Sequence, residues 1–404
     1  MPWKETSPME ERMKFVVYYL WHEWPMAALC REFGISRKTG YKWISRYLEH
    51  QEPGLADRSR APHHHPQTVS LTAQQAILAA RVAHSTWGPK KLKVLLQRQD
   101  DSVRWPSAST IGDILSRHGL VSRRRRRRTT QRYDRPLRHC RNANDVWSAD
   151  LKGWFRTGDG ARCDPLTITD NDSRYLLSCQ TVATNSFVAV QPVFEAVFRR
   201  YGMPVMIRTD NGVPFATTTV GGLSRLSIWW LKLGILPERI EPGKPAQNGR
   251  HERMHRTLKQ ETASPPKASL RAQQQAFDRF RHEYNQQRPH EGIDMQTPAS
   301  RYQPSDREYP NILPEIRYPD DMMLRKVHSQ GDLRWMSRQI YLSVTLAGEW
   351  VGCRQVDDHL WDIYFAHIRL AQMDTYAGRL KHLPQPPVRR KNTKPNMDNN
   401  QQKV

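Results

Sequence analysis

The stretch Pro204-Val-Met-Ile-Arg-Thr-Asp210-Asn-Gly212 decides how the centre of this chain folds. Its apolar first half predicts a short strand that ends at Asp210, and the Asn-Gly pair after it supplies the backbone freedom for a sharp turn. Read alone, Asp210 is also compatible with a plain Asx turn. Two further segments place a carboxylate in a similar setting. They are Trp147-Ser-Ala-Asp150, in a predicted strand, and Gln247-Asn-Gly-Arg-His-Glu252, in the first turns of a predicted helix.

Each of these two carboxylates has a functional and a structural interpretation. Asp150 lies within an apolar strand, where a charge is costly unless it is paired or binds a metal. The alternative is an aspartate on a solvent-facing side of the strand. Helical spacing puts Glu252, Arg256 and Lys259 on one face. A carboxylate there could bind a metal while the two cations meet DNA phosphates, or the face is a surface stripe with an ion pair between Glu252 and Arg256.

Residues 142–305, which contain all three carboxylates, alternate between predicted strands and helices. Three short apolar runs separated by turns rich in Gly and Asp predict an antiparallel meander. Helices and strands then alternate, which indicates a mixed sheet flanked by helices. Strands are predicted at 146–155, 165–169, 175–182, 204–209 and 235–240, and helices at 187–201, 223–233, 246–261 and 270–287.

Composition indicates the class of partner. The 404 residues include 63 Lys+Arg against 40 Asp+Glu, so the formal net charge is +23. This favours a polyanion, and no apolar run is long enough to span a bilayer. We therefore expect nucleic acid as the partner and no membrane association. The five cysteines are scattered and none forms a C-x-x-C pair, which is typical of a reduced intracellular protein.

The first 51 residues predict a helix-turn-helix domain. A short amphipathic helix leads into a turn at Gly34, and Ser36 is a good N-cap for the next helix, residues 37–48. That helix exposes Arg37, Lys38 and Lys42, which suit a major groove. The alternative is an ordinary helical hairpin with a basic surface.

Residues 52–70 have linker composition, and His63–His65 within them fit either a solvated linker or a metal-binding tract. Residues 71–122 predict a second helical DNA-binding domain, with helices at 71–85, 88–96 and 107–118; helices that serve only packing are the alternative. Residues 123–141 form an arginine-rich linker, which we expect to contact DNA; a merely solvated arm is the alternative. Its six consecutive arginines are Arg123, Arg124, Arg125, Arg126, Arg127 and Arg128.

The C-terminal part changes character again. Residues 315–371 lose helical periodicity and gain alternation, which predicts short strands and a small β-barrel-like domain. Residues 372–404 are assigned to a disordered basic tail by composition. The predicted architecture is therefore multidomain: an all-α helix-turn-helix region, an α/β core and a small β domain.

Taken together, the three carboxylate motifs resemble the ribonuclease-H-like catalytic core of DDE transposases and retroviral-type integrases. More specifically, the chain resembles the integrase-core transposases of bacterial insertion sequences. The resemblance extends to about residue 305 and includes Tyr284-Asn-Gln-Gln-Arg-Pro-His290, followed by Thr297-Pro298 and Tyr302. One departure is a longer interval between the second and third carboxylates, with the extra residues placed in 217–227. Glu261 is therefore the fallback for the third carboxylate.

The resemblance implies a site and a reaction. Asp150, Asp210 and Glu252 would be the catalytic residues and the ligands of two Mg²⁺ ions, for which Mn²⁺ can substitute, and Lys259 would contact the end DNA. Metal-dependent hydrolysis would cleave DNA at the element's end, and the freed 3′-hydroxyl would attack target DNA. The implied partners are double-stranded DNA, namely the terminal inverted repeats and the target DNA, and further copies of the chain. The implied location is the cytoplasm, in association with the nucleoid. The alternatives are a non-enzymatic helix-turn-helix regulator and a ribonuclease-H-like nuclease without strand transfer.

Overall fold

The computed structural model describes residues 6–59, 68–121, 140–217, 219–241 and 245–382. The chain forms two compact units, Met1–Val69 and Ser70–Val404. Three sequence predictions fall outside the described residues: the histidine tract, the run of six arginines and the tail from residue 383. Within the described ranges, no helix is long and apolar enough to cross a membrane.

The first unit is built from three helices, α1 (Pro8–Leu20), α2 (Met26–Glu32) and α3 (Arg37–His50). The turn between α2 and α3 uses Gly34, whose φ is +62°, in the left-handed region that glycine tolerates. Ser36 then begins α3, since its side-chain oxygen accepts a hydrogen bond from the Thr39 amide at 3.2 Å. Both features agree with the predicted helix, turn and capped helix.

The first unit extends past residue 51, where the composition predicted that a linker begins. A 3₁₀ turn at Glu52–Leu55 follows α3 and buries Leu55 completely. The Arg12 side chain of α1 donates to the Leu55 carbonyl at 2.8 Å and pairs with Asp57 at 3.0 Å. The polar and Pro-Gly composition of this stretch therefore marks a turn that closes the core before the linker starts.

The second unit begins with α4 (Leu71–Ala83), α5 (Pro89–Gln99) and α6 (Ala108–Arg117). Ser107 begins α6 by accepting from the Thr110 amide at 3.2 Å. Trp87, between α4 and α5, is fully buried. The three helices lie close to their predicted positions.

A six-stranded mixed sheet follows. Its strands are β1 (Val146–Leu151), β2 (Phe155–Arg156), β3 (Arg162–Asp170), β4 (Leu176–Val182), β5 (Met206–Thr209) and β6 (Leu236–Arg239). They lie in the order β2-β3-β1-β5-β6, with β4 paired to β3. Strands β1 to β4 form the antiparallel meander, and β5 and β6 run parallel to β1. The helices are α7 (Phe187–Tyr201), α8 (Arg225–Lys232), α9 (Gly249–Thr262), α10 (Leu270–Gln286) and α11 (Pro298–Arg301).

Two apolar cores hold the helices on this sheet. Alternate residues of β1 pack with α7 and α8, in a cluster that includes Trp147, Phe194 and Trp230. A second cluster joins β3 and β4 to α9 and α10, with Leu258 and Phe277 among its members. Because strand side chains alternate between faces, Asp150 points away from the α7 and α8 side. The mixed sheet flanked by helices is therefore confirmed.

The C-terminal part is an open sheet, so the prediction of a barrel-like domain was wrong. The strands are β7 (Met323–Lys326), β8 (Asp332–Trp335), β9 (Arg338–Tyr341), β10 (Trp350–Gln355), β11 (Leu360–Phe365), β12 (Ile368–Asp374) and β13 (Arg379–His382). Five of them pair in the order β13-β12-β11-β10-β7, and β8 and β9 form a separate two-stranded sheet. Strand β13 lies beyond residue 371, so the sheet takes in residues that composition assigned to the tail.

The reason for the open sheet lies in what covers its apolar face. Buried residues of β10 to β12 pack in one cluster with Val220, Leu223 and Leu231, which belong to the part of the chain that contains the six-stranded sheet. Lys232 of α8 also pairs with Glu349 at 2.9 Å. Alternation along a strand shows that one face is buried, but it does not distinguish closure into a barrel from cover by another segment.

The extra residues between Asp210 and Glu252 build this cover. Ala216 and Leu223 pair as an isolated bridge, and a 3₁₀ turn at Val220–Gly222 lies between them. Gly221 has a φ of +69°, and a side-chain carbon there would lie 2.6 Å from the Leu370 side chain of β12. The longer interval is thus a docking loop for the C-terminal sheet.

Candidate active site

Asp150 and Asp210 lie at the same end of two neighbouring strands. Strands β1 and β5 are parallel, and Ala149 of β1 pairs with Thr209 of β5. Asp150 follows Ala149 within β1, and Asp210 is the first residue after β5, so strand spacing places their Cα atoms roughly 5 Å apart. Both side chains are partly exposed. Because this is the carboxyl edge of a parallel pair, it is where open α/β sheets bind ligands.

A tight turn orients Asp210. One of its carboxylate oxygens accepts a hydrogen bond from the Gly212 amide at 3.0 Å, so the Asx turn expected from the sequence is present. A side-chain carbon at Gly212 would lie 3.1 Å from the other carboxylate oxygen, which explains glycine there. The side-chain amide of Asn211 donates to the Ile240 carbonyl at 2.8 Å, which ties this turn to the end of β6.

Helix α9 presents a different side chain to Asp150 than the sequence suggested. His251 and His255 are buried and face the sheet, whereas Glu252 is exposed. The described residues contain one group of three metal-ligating side chains within 4.8 Å of one another, namely Asp150, His251 and His255. Asp210 and Glu252 are not part of that group.

The two histidines make hydrogen bonds to threonines of β3. The Thr167 hydroxyl lies 2.7 Å from Nε2 of His251 and 2.6 Å from Nε2 of His255. The Thr169 hydroxyl lies 3.0 Å from Nδ1 of His251, so both ring nitrogens of that histidine are occupied. Burial lowers the pKa of His251 to about 3, so its ring is neutral at physiological pH. Nδ1 of His255 lies 3.6 Å from a carboxylate oxygen of Asp150.

Glu261, the fallback for the third carboxylate, is used elsewhere. It forms an ion pair with Arg288 at 2.8 Å and a short hydrogen bond with the Thr86 hydroxyl. The Arg288 guanidinium lies 5.7 Å from the centre of the Trp87 ring. These contacts join α9 to the segment between α4 and α5. Glu261 is therefore part of an internal connection within the second unit.

The cations singled out in the sequence are exposed where they can be described. Arg256 and Lys259 lie with Glu252 on the solvent-facing side of α9, and Glu252 forms no ion pair with Arg256 among the described residues. On α3, Arg37, Lys38 and Lys42 are exposed, and the Lys42 ammonium lies 4.5 Å from the centre of the Trp43 ring. Residues 123–128 lie outside the described part of the chain.

The sequence analysis missed His251 and His255. A signal was available, since their spacing of four residues places both on one face of a helix. Together with the intervening Glu252 they even match the spacing of zinc-binding helices in metalloproteases. In this structure, however, their Nε2 atoms both meet the Thr167 hydroxyl. The spacing therefore serves a polar contact between helix and sheet.

Three family profiles match the chain. The family described as "Integrase core domain" matches residues 233–298. A "Homeodomain-like domain" profile matches residues 39–115, and a "Helix-turn-helix domain" profile matches residues 11–63. The integrase match covers the loop before α9, the helix itself and α10. The other two matches cover the helical region that precedes the sheet and imply DNA binding.

Curated relatives include a protein of a bacterial insertion element. The uncharacterized 31.7 kDa protein of insertion element IS407 from Burkholderia multivorans is 26% identical over 233 residues, 56% of this chain and 80% of the relative. The Gag-Pol polyprotein of baboon endogenous virus is 24% identical over 195 residues, or 48% of this chain. The Pol polyprotein of feline endogenous virus ECE1 is 30% identical over 95 residues, or 24% of this chain. The matches span 11% and 8% of those two polyproteins.

Solved structures that resemble the chain include two from retroviruses. The HTLV-2 integrase catalytic core domain in complex with magnesium is 16% identical, covers 40% of this chain and 97% of its own, and has a TM-score of 0.32. The simian T-cell lymphotropic virus intasome in complex with the PP2A regulatory subunit B56 gamma is 15% identical. It covers 77% of this chain and all of its own, with a TM-score of 0.36.

Proposed function

Because the chain belongs to the insertion-element transposases that carry a retroviral-type integrase core, we propose that it cleaves the DNA ends of its element and joins them to target DNA. Cleavage frees a 3′-hydroxyl, and that hydroxyl then displaces a bridging oxygen of a target phosphodiester. The observation that carries the proposal is the pair of neighbouring carboxylates, Asp150 and Asp210, at the carboxyl edge of β1 and β5.

The donor chemistry of this edge fits magnesium. Mg²⁺ prefers oxygen ligands and is commonly held by one or two carboxylates together with substrate phosphates. Asp150 and Asp210 supply such oxygens, and we propose Glu252 of α9 as the third ligand. When bound, divalent ions polarise the scissile phosphate and the attacking oxygen. Glu252 is preferred to Glu261 because the latter already forms an ion pair with Arg288.

The basic stripe on α9 would hold the DNA beside these carboxylates. Lys259 follows Glu252 by seven residues, about two helical turns, so both lie on the exposed face of the helix. Arg256 lies between them. Cations placed there can bind the phosphates that flank the cleaved bond, which orients the phosphodiester without taking part in bond breaking.

Recognition of the element's ends is assigned to the helical domains. The exposed side of α3 carries Arg37, Lys38 and Lys42, while its buried side packs into the core of the first unit. This is the arrangement of a recognition helix in a helix-turn-helix domain. We propose that the terminal inverted repeats are read here, and that two or more copies of the chain act together on the paired ends.

The test is a strand-transfer assay with the full chain. The DNA that flanks its own gene is labelled and incubated with the protein, a target plasmid and Mg²⁺, and products are resolved on a denaturing gel. We expect nicked ends and end DNA joined to the plasmid, both absent when EDTA replaces Mg²⁺. Cleavage without joining would identify a nuclease, and binding without cleavage would identify a regulator; either result contradicts the proposal.

A further inference from the structure

We propose that His255 is a positioning residue that orients the Asp150 carboxylate, and that a buried chain of hydrogen bonds through Thr167, His251 and Thr169 holds His255 in one tautomer. This inference rests on the proposed function, because it gives Asp150 its role. It adds three residues that the carboxylate motifs do not include, and it gives a role to His251, which lies in the third motif.

The chain of polar groups runs continuously from the interior to the active-site edge. Starting inside, the Thr169 hydroxyl lies 3.0 Å from Nδ1 of His251, and Nε2 of that ring lies 2.7 Å from the Thr167 hydroxyl. Thr167 is 2.6 Å from Nε2 of His255, whose Nδ1 is 3.6 Å from the Asp150 carboxylate. The side chain of Asp150 is 16% exposed, whereas that of His255 is only 6% exposed. The exposed end is therefore the carboxylate.

Secondary structure alone places these groups in line. Strands β1 and β3 pair with Thr167 directly opposite Asp150 and Thr169 opposite Ser148, so the two threonines share a face of the sheet. Residues four apart in a helix also share a face, so His251 and His255 meet that face together. The centres of their rings are 4.6 Å apart, and the rings are almost perpendicular.

Counting hydrogens favours one arrangement. Thr167 has a single hydroxyl hydrogen and three neighbouring acceptors: the two Nε2 atoms and the Asp150 carbonyl oxygen at 3.2 Å. If Thr167 donates to His255, then Nδ1 of His255 carries the hydrogen and points it at the Asp150 carboxylate. Thr167 then accepts from His251, which accepts from Thr169, so each hydroxyl donates once.

The other two arrangements are less favourable. If Thr167 donates to the Asp150 carbonyl or to His251, Nε2 of His255 must carry a hydrogen, and a ring with a single N–H then turns the lone pair of Nδ1 toward the carboxylate. Two acceptors would then face each other in a partly buried place, which costs free energy. The head-to-tail chain avoids this and points an N–H group at the carboxylate. Imidazole and carboxylate partners of this kind orient the ligands of metal sites and commonly change metal affinity or activity by 10- to 100-fold.

The experiment compares four variants of the full chain. Thr167→Val removes the central hydroxyl at nearly constant volume, and Thr167→Ser restores it. His255→Asn keeps an N–H group near the position of Nδ1 but loses the link to Thr167. Thr262→Val is the matched control, because it also removes a buried hydroxyl. That hydroxyl donates to the Leu258 carbonyl within α9 and does not belong to the chain of hydrogen bonds. All variants are first checked for wild-type end-DNA binding and cooperative thermal unfolding.

Two readouts follow the metal site. The first is Mn²⁺ affinity, measured from the electron paramagnetic resonance signal of free Mn²⁺ without any turnover. The second is the Mg²⁺ concentration that gives half-maximal cleavage, recorded together with the maximal rate. For Thr167→Val we expect the Mn²⁺ dissociation constant and the half-maximal Mg²⁺ concentration each to rise about 10-fold or more. Thr167→Ser and Thr262→Val should behave as wild type, and His255→Asn should lie between.

Several outcomes would overturn the inference. Thr167→Val with wild-type Mn²⁺ affinity, an equal loss in Thr262→Val, or no Mn²⁺ binding by the wild-type chain would each do so. Stoichiometric Zn²⁺ binding that requires both histidines would instead make them direct ligands. A wild-type chain that binds Mn²⁺ but does not cleave end DNA would contradict the proposed function alone, since the Mn²⁺ comparison would still decide the role of the chain of hydrogen bonds.

Discussion

Replacing the two carboxylates of α9 by glutamine should have opposite effects: Glu261→Gln should lower stability and keep cleavage, and Glu252→Gln should keep stability and lose cleavage. Glu261 is 18% exposed and pairs at 2.8 Å with Arg288, which is 8% exposed. Glu261→Gln leaves that guanidinium buried without its counter-charge, which costs about 2–3 kcal/mol. For a folded part of this size the melting temperature should fall by roughly 4–12 °C. Cleavage per folded molecule should persist.

Glu252→Gln should show the reverse behaviour. The side chain is exposed and forms no ion pair with Arg256, so its replacement should change the free energy of unfolding by less than about 0.5 kcal/mol. End cleavage should nevertheless be lost while end DNA is still bound. The assay measures the melting temperature by differential scanning fluorimetry and single-turnover cleavage below that temperature. Stable Glu261→Gln without cleavage, beside active Glu252→Gln, would refute the assignment of the third ligand.

Four further predictions concern other parts of the chain. Lys259→Ala should slow joining strongly at unchanged melting temperature, whereas the neighbouring exposed Gln260→Ala should not; equal rates in both would make Lys259 an ordinary surface lysine. Lys38→Ala should lower the slope of log binding constant against log salt by roughly 0.9 if that lysine neutralises one phosphate, and an unchanged slope argues against contact by α3. Leu223→Ala, in the cluster shared with the C-terminal sheet, should cost about 2–5 kcal/mol, and a change under about 1 kcal/mol in urea unfolding would show that the sheet is not held there. Burial lowers the pKa of His290 from 6.5 to about 3. The contribution of this neutral histidine to stability is therefore complete above pH 6.5 and is lost as the pH falls toward 3. The melting temperature of His290→Gln should accordingly fall less than that of wild type between pH 7 and pH 5.

The sequence predicted the elements of the part with the six-stranded sheet well because local signals and burial agree there. The apolar run before Asp210 is strand β5, and the helix predicted at residues 187–201 is α7. The structure pairs β1 with β5 in parallel and so brings Asp150 and Asp210 to one edge. The alternation of helices and strands did not predict which strands pair, and only the family resemblance implied that these carboxylates lie together.

The rest of the site depends on how α9 is rotated, which periodicity alone leaves open. Along residues 250–255, arginines, histidines and Glu252 are interspersed with one apolar residue, Met254. A charged face and a polar buried face are both compatible with this pattern. Burial of His251 and His255 depends on the threonine hydroxyls of β3, which are far away in the chain. The local sequence of α9 does not predict that these threonines are the partners of the two histidines.

The prediction of a barrel-like C-terminal domain was wrong for a related reason. Its strands alternate as those of a barrel do, but their apolar side is covered by Val220 and Leu223 from the loop between β5 and α8. That cover comes from a segment about a hundred residues earlier, as the residue numbers show. The longer interval between the second and third carboxylates was visible in the sequence, yet its use as a docking surface could be seen only in the folded chain.

The central claim, that Asp150 and Asp210 act together in metal-dependent cleavage, is tested most directly by single-turnover cleavage of end DNA. Wild type, Asp150→Asn and Asp210→Asn are compared at saturating Mg²⁺, with end-DNA binding measured on the same preparations. We predict that both variants bind end DNA as wild type does and that neither cleaves it. Cleavage by either variant at the wild-type rate would contradict the account.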